Sequence, residues 1–118
     1  MTLGEIRGIL GALVITQRTD MNKEIGRAYC ADLMSDVLAF SVTQSLLITG
    51  LTNVQVVRTA DVADIKAIVF VQGKRPDIDT IATADSKNIP LLVTNLSMFE
   101  TCGRLYENGL RSAAGDTP

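Results

Sequence analysis

Two short loops contain the residues whose types and spacing are best suited to binding a ligand. Residues 49–53 (TGLTN) follow an apolar run of strand length and lead into a helix, and residues 72–75 (QGKR) follow the next such run. Open α/β sheets bind ligands in the crevice outside the carboxyl ends of their strands. Because right-handed crossovers bring such ends to one edge of the sheet, we expect the two loops to be close neighbours.

A small anion is the ligand that these loops suit best. The helix that begins after Asn53 directs free N–H groups and a positive partial charge toward the first loop, and a glycine in each loop lets the backbone approach a ligand. The second loop supplies formal charge, although Asp77 and Asp79 follow it closely and would repel an anion. The alternative is an N-capped turn and a basic turn that bind nothing. The candidate binding residues are Thr49, Gly50, Thr52, Asn53, Gln55, Arg58, Gly73, Lys74 and Arg75.

The composition excludes several classes of catalytic site. The 118 residues include no histidine, which removes the Ser-His-Asp and Cys-His triads and the histidine-based metal sites. The GK pair at 73–74 lacks the earlier glycine and the following Ser or Thr of a phosphate-binding loop. Cys30 and Cys102 form no CxxC motif, so we predict two reduced, partly buried thiols and no metal centre. We therefore expect a protein that is not an enzyme and that needs no cofactor.

The charge and hydropathy pattern narrows the range of partners. Eleven basic and thirteen acidic residues give a net charge of −2, which argues against nucleic-acid binding. The N-terminus does not have the pattern of a signal peptide, and no apolar run reaches the roughly 18 residues that a membrane span needs. We expect a soluble cytoplasmic protein without a membrane partner.

The first third of the chain predicts a helix followed by two strands. Thr2 and Glu5 have the spacing of a capping box, and Gly11 is placed to end that helix. Strands are expected at 12–16 and 25–31, with a polar turn between them.

A second, shorter helix is predicted to follow, with Asp32 or Ser35 as its N-cap and its end near Phe40. We interpret Asp32 and Asp36 as residues that cap and solvate its start, rather than as a metal-binding or acid–base pair. The side chains expected to face inward are Leu33, Met34, Val37 and Leu38.

Strands and helices alternate through the rest of the chain. Continuous apolar runs at 46–49, 67–71 and 89–94 are typical of strands covered on both faces. Helices are expected to start at Asn53, at Pro76 and after Ser97. This alternation predicts a three-layer α/β/α fold with a mostly parallel or mixed sheet of about five strands.

The last helix is predicted to bury one face against the sheet. Gly109 and Leu110 then close it in a Schellman motif, with Leu110 folding back on Leu105. We expect residues 1–111 to form a single domain and residues 112–118 to form a disordered tail. The residues expected on the buried face are Phe99, Cys102, Gly103 and Tyr106.

Five segments carry a resemblance to a known family. Residues 32–37 (DLMSDV), 47–51 (LITGL), 58–60 (RTA), 70–76 (FVQGKRP) and 99–107 (FETCGRLYE) together resemble the stand-alone DRTGG-domain proteins of anaerobic bacteria. The likeness covers nearly the whole chain. The letters D-R-T-G-G themselves do not occur, and residues 49–53 stand in the equivalent loop.

The resemblance implies the fold of the N-terminal domain of HPr kinase/phosphorylase and of the DRTGG region of phosphotransacetylases. In related proteins the domain sits between CBS domains of a regulated pyrophosphatase. The resemblance also implies that the chain is an accessory module and that it is often dimeric. The stand-alone forms of this module are associated with iron hydrogenase and electron-transfer subunits.

Two functions follow as hypotheses. The first is a non-enzymatic regulatory or assembly module that acts through homodimerisation and a protein partner, linked by the resemblance to hydrogenase, electron transfer or energy metabolism. Its expected contact surface is the segment 33–40, with Met34 and Phe40. The alternative is a sensor of a nucleotide or phosphorylated metabolite that uses the loops at 49–58 and 72–75.

Overall fold

A mixed β-sheet with helices on both faces forms the frame of the protein. The computed structural model describes residues 1–113, in which six strands lie in the order β1-β5-β4-β3-β2-β6. Within this part of the chain β1 pairs antiparallel with β5, and the other neighbours are parallel. The predicted α/β class and three layers are confirmed, with six strands in place of about five. In chain order the elements are α1 (Leu3–Leu10), β1 (Leu13–Val14), β2 (Arg27–Cys30), α2 (Met34–Phe40), β3 (Leu46–Thr49), α3 (Val54–Val62), β4 (Ala67–Phe70), α4 (Ile78–Ser86), β5 (Leu91–Val93), α5 (Met98–Glu107) and β6 (Arg111–Ser112).

The three central strands are buried on both faces, as their apolar runs predict. Every residue of β3, β4 and β5 is buried. Alternate side chains of β4, such as Ile68 and Phe70, pack against α2, α3 and α4. Val69 points to the other face, where α1 and α5 supply Leu3, Ile6 and Leu105. The two apolar layers explain why the runs do not alternate with polar residues.

Three helix starts are closed by side-chain caps. The Thr2 hydroxyl accepts from the Glu5 N–H at 3.1 Å and the Glu5 carboxylate accepts from the Thr2 N–H at 3.1 Å, so the predicted capping box of α1 is confirmed. Ser97 caps α5 as predicted. The start of α4 differs by two positions, because the helix begins at Ile78 rather than Pro76 and Asp77 is its N-cap, which accepts from the Thr80 N–H at 2.8 Å.

The start of α2 contradicts the sequence interpretation. Leu33 occupies the N-cap position and no side chain of the described residues caps the helix, because the carboxylate of Asp32 is directed to another loop. Met34 and Val37 are buried, whereas Leu33 and Leu38 are exposed. A helix of seven residues buries one narrow stripe, and the two leucines lie beside it.

The buried face of α5 also differs from the prediction. Phe99 and Tyr106 are 87% and 63% exposed, while the buried positions are Thr101 and Leu105. The aromatic residues lie beside the inward stripe, to which Leu105 belongs as part of the apolar cluster that also contains Leu110. The predicted Schellman close is confirmed, since the Leu110 N–H donates to the Leu105 carbonyl at 3.0 Å.

The C-terminal end of the described chain adds a strand that the sequence did not predict. Arg111 and Ser112 pair with Arg27 and Ala28, and Ala113 is buried, so Ser112 and Ala113 do not belong to the predicted tail. The remainder of that predicted tail, 114–118, lies outside the described residues. No helix of the described chain is both long and apolar enough to cross a membrane.

Candidate functional site

The loops that follow β3, β4 and β5 meet at the carboxyl edge of the sheet. The Val71 N–H donates to the Thr49 carbonyl at 3.1 Å, which joins the first two loops. The Gly73 N–H donates to the Thr94 carbonyl at 2.8 Å, which joins the second loop to the third. The structure therefore brings residues 49–53 and 72–75 together, as the parallel connections of the sheet require.

Gly50 lies between a positive and a negative side chain. A methyl group on its Cα would lie 3.5 Å from Lys74 Nζ and 3.6 and 3.7 Å from the two carboxylate oxygens of Asp32. These are ordinary van der Waals distances, so the space above the Gly50 backbone admits a methyl group and is flanked by both charges. A ligand group in this space can meet a cation and a carboxylate at once.

Asp32 also holds the first loop in shape. Its Oδ1 accepts from the Gly50 N–H at 2.8 Å and from the Thr49 hydroxyl at 3.1 Å. The hydroxyl oxygen of Thr49 in turn accepts from the Leu51 N–H at 3.1 Å. The Thr49 hydroxyl that the sequence suggested for a ligand and the Gly50 N–H are thus bonded within the protein, and both carboxylate oxygens of Asp32 border the space above Gly50.

The second loop is a tight turn in the left-handed region. Gln72 and Gly73 have φ angles of 59° and 66°. Their N–H groups are bound by the carbonyls of Leu96 and Thr94, so this backbone is tied to the third loop rather than open to an anion. A Cβ on Gly73 would lie 2.9 Å from Oδ1 of Asn95. Lys74 and Arg75 follow the turn with exposed side chains.

The other candidate residues lie around this centre. Thr52 is half-buried, and Asn53 occupies the N-cap position of α3 without capping any of the described N–H groups through its side chain. Gln55 and Arg58 are exposed in the first and second turns of α3, outside the cluster formed by Asp32, Thr49, Gly50 and Lys74.

Asp77 bears on the electrostatics of the basic loop. The hydrogen bond with Thr80 holds the pKa of the Asp77 carboxyl below its usual value, so this carboxylate stays charged and is engaged with the start of α4. Among the described residues no cluster of three or more acidic, cysteine or histidine side chains could hold a metal ion.

Sequence reasoning missed two residues of the site. Asp32 was interpreted as a helix cap and Asn95 was not considered. Each directly follows a parallel strand or its extension, and position at the carboxyl end of a predicted strand is the signal that could have identified them.

The chain is similar in fold to a protein of known structure. No family model matches the chain, and no curated protein matches it in sequence. The fold is similar to the crystal structure of the CBS and DRTGG domains of the regulatory region of Clostridium perfringens pyrophosphatase, complexed with its activator diadenosine tetraphosphate. The TM-score is 0.73 at 16% sequence identity, over 88% of this chain and 45% of that chain. The resemblance to DRTGG-domain proteins is therefore confirmed as a likeness in fold.

Proposed function

We propose that this chain is a regulatory module that senses a nucleotide at the carboxyl edge of its sheet. The phosphates bind Lys74 and Arg75, and Asp32 accepts hydrogen bonds from the ribose hydroxyl groups. The observation that carries the proposal is that Lys74 Nζ and the Asp32 carboxylate flank the same space above Gly50. Of the two hypotheses drawn from the sequence, this geometry favours the sensor, because it puts complementary groups around one space.

The chemistry of the flanking groups selects the class of ligand. An ammonium group attracts phosphate oxygens, whereas a carboxylate at the same place repels them and accepts from hydroxyl or amino groups. A bare phosphate satisfies only the ammonium group, and a neutral sugar satisfies only the carboxylate. A nucleotide carries both kinds of group within one molecule, with its phosphates adjacent to the ribose.

The similar solved structure supports the same class of ligand. That protein is a regulatory region in complex with diadenosine tetraphosphate, and this chain spans 45% of it. The proposal assigns this chain a binding role without catalysis.

Calorimetry with diadenosine tetraphosphate, ATP, adenosine and inorganic tripolyphosphate at low salt tests the proposal. We expect ATP or diadenosine tetraphosphate to bind more tightly than adenosine or tripolyphosphate alone, because only the nucleotides engage Asp32 and Lys74 together. The double variant Lys74→Ala/Arg75→Ala should weaken nucleotide binding by about tenfold or more.

A charge-matched control separates a local contact from a general electrostatic effect. Lys66 and Lys87 stand before β4 and β5, at the opposite edge of the sheet, where they contact Glu24 and Asp61. The variant Lys66→Ala/Lys87→Ala has the same net charge as the first variant and should bind nucleotide within about twofold of the parent. A parent protein that binds no nucleotide more tightly than about millimolar contradicts the proposal.

Homodimerisation is a second proposed function, with an observation of its own. The segment 33–42 exposes four large apolar side chains within ten residues. Monomeric proteins seldom expose large contiguous apolar patches. Met34, which we expected in the contact surface, is buried in the core and does not belong to it. The resemblance adds a protein partner and a link to hydrogenase or electron-transfer systems as proposals. The four exposed residues are Leu33, Leu38, Phe40 and Val42.

A further inference from the structure

The two cysteines of the chain, far apart in sequence, lie together in the structure. Cys30 is the last residue of β2 and Cys102 lies in α5. Both line one cavity of about 280 Å³ on the α5 side of the sheet, whose walls include Ala28, Ile48 and Leu105. Cys30 is exposed and Cys102 is half-buried, so reagents in solution reach the pair.

The two thiols lie on the same side of the sheet. Cys30 stands two residues after Ala28 in β2, so the two side chains share a face of the strand, and Ala28 and Cys102 both pack against the apolar cluster between the sheet and α5. A side-chain hydrogen bond with Cys30 lowers the pKa of Cys102 to about 7, against the opposing effect of burial. The same bond, followed by burial and the nearby Cys102 and Asp32 charges, raises the pKa of Cys30.

We propose that Cys30 and Cys102 are a redox-active dithiol that closes to an intramolecular disulfide by exchange with a low-molecular-weight disulfide. This site is separate from the nucleotide site, and its proposal does not depend on the proposed function. It rests on the position of both cysteines in the wall of one cavity between the sheet and α5 and on their access to solvent.

The exchange runs in two balanced steps. The thiolate of Cys102 attacks one sulfur of the reagent RSSR, so a Cys102–SR bond forms, the reagent's S–S bond breaks and RS⁻ leaves. The thiol of Cys30 then loses its proton and attacks the sulfur of Cys102, which forms the Cys30–Cys102 bond and expels the second RS⁻. The two cysteines lose two electrons and two protons, and the reagent becomes two molecules of RSH.

The surroundings of the two cysteines determine the order in which they react. Cys102 attacks first, because its thiolate fraction at neutral pH is much larger than that of an ordinary thiol. Once Cys102 carries the SR group, Cys102 no longer has a negative charge. The main cause that raises the pKa of Cys30 is then removed, so Cys30 can lose its proton. The aliphatic cavity beside the two sulfurs, with Tyr106 and Arg111 also lining it, offers space for the R group.

Equilibration with glutathione disulfide, followed by acid trapping and mass spectrometry, tests the proposal. The parent should lose the mass of two hydrogen atoms and then resist alkylation at both cysteines. Cys30→Ser should stop at a stable glutathione adduct on Cys102, because no second thiol resolves it. Cys102→Ser should form its adduct more slowly than Cys30→Ser does. Adducts on both cysteines of the parent, or a disulfide between two chains, would overturn the proposal.

A second measurement tests the hydrogen bond separately from the disulfide. Iodoacetamide should alkylate Cys102 of Cys30→Ser within about twofold of the parent rate at neutral pH, because the serine hydroxyl still donates to the thiolate. The rate for Cys30→Ala should fall roughly five- to tenfold, since the thiolate fraction drops more than the intrinsic nucleophilicity rises. Equal rates in the two variants contradict the assigned contact. Circular dichroism melting curves establish that both variants are folded.

Discussion

Gly50 and Gly73 serve the candidate site in two different ways. Gly73 lies in the left-handed region, which glycine adopts without the steric conflict that a Cβ introduces. Gly50 lies outside that region, and its contribution is that no side chain of its own fills the space between Lys74 and Asp32. The first glycine is needed for the shape of the turn, whereas the second leaves room for a ligand.

The variants Gly73→Ala and Gly50→Ala separate these two roles. Gly73→Ala should lower the free energy of unfolding by about 1 kcal/mol. The turn would hold the alanine at φ +66°, which is unfavourable for an L-residue, and the new Cβ would crowd Asn95. Gly50→Ala should change it by less than about 0.5 kcal/mol, since its methyl group meets neighbours at ordinary contact distance. Urea denaturation measures both values.

Nucleotide calorimetry on Gly50→Ala completes that comparison. The folded variant should bind nucleotide more weakly than the parent, because the methyl group fills part of the space where the ligand meets Lys74 and Asp32. An unchanged affinity would place the ligand elsewhere, while a large loss of stability would contradict the geometry given for Gly50.

Some residues of the two proposed sites could be predicted from the sequence, and others could not. Thr49, Gly50 and Lys74 follow recognisable buried strands, so their meeting at one edge could be predicted. For Asp32 the one signal was its place at the carboxyl end of a predicted strand, because an acid before a helix is most often a cap and its actual partner Gly50 is distant in sequence. The contact of Cys30 with Cys102 is likewise tertiary, since no local spacing joins an edge strand to the last helix.

At the scale of elements, burial on both faces makes the central strands predictable. In β4, Val69 lies between Ile48 of β3 and Leu92 of β5 and is fully buried against α1 and α5. The cluster that surrounds Val69 there is apolar. A strand of this kind is specified by its apolar run alone.

The substitution Val69→Asp tests that burial. It should destabilise the protein by several kcal/mol and leave no soluble folded chain, because an unpaired carboxylate would be placed in the core. The same substitution at Val62, which is 77% exposed at the end of α3, is the matched control and should leave the melting curve close to that of the parent. A Val69→Asp protein that melts like the parent contradicts the position given for β4.

Edges and helix faces were harder to predict than the central strands. The strand β6 has only two residues, both polar and exposed, so no hydrophobic pattern marks it. The face of α5 was assigned from its aromatic residues, yet a helix buries the stripe that fits its neighbours. Local periodicity gives a helix several apolar stripes, and packing against the sheet selects one of them.

At the scale of the whole molecule, the sheet separates the proposed nucleotide site, the two cysteines and the exposed apolar segment 33–42 from one another. The proposed nucleotide site occupies its carboxyl edge, the two cysteines lie on the α5 face, and α2 covers part of the other face. The exposed apolar segment 33–42 therefore lies on the helical layer that contains α2, α3 and α4. A second copy of the chain can cover that segment with its own equivalent surface, since two-fold contacts are self-complementary.

Sedimentation equilibrium at high micromolar concentration tests this dimer. The parent should sediment with twice the 12.7 kDa mass of the chain. Leu38→Asp/Phe40→Asp should sediment as a monomer, because both side chains are more than half exposed in the single chain and charge at the interface opposes its burial. Phe99→Asp, on the opposite face of the sheet, introduces one charge at another exposed apolar residue and should leave the dimer intact. A parent protein that sediments as a single chain removes the dimer, and a dimer that Phe99→Asp disrupts moves the interface to α5.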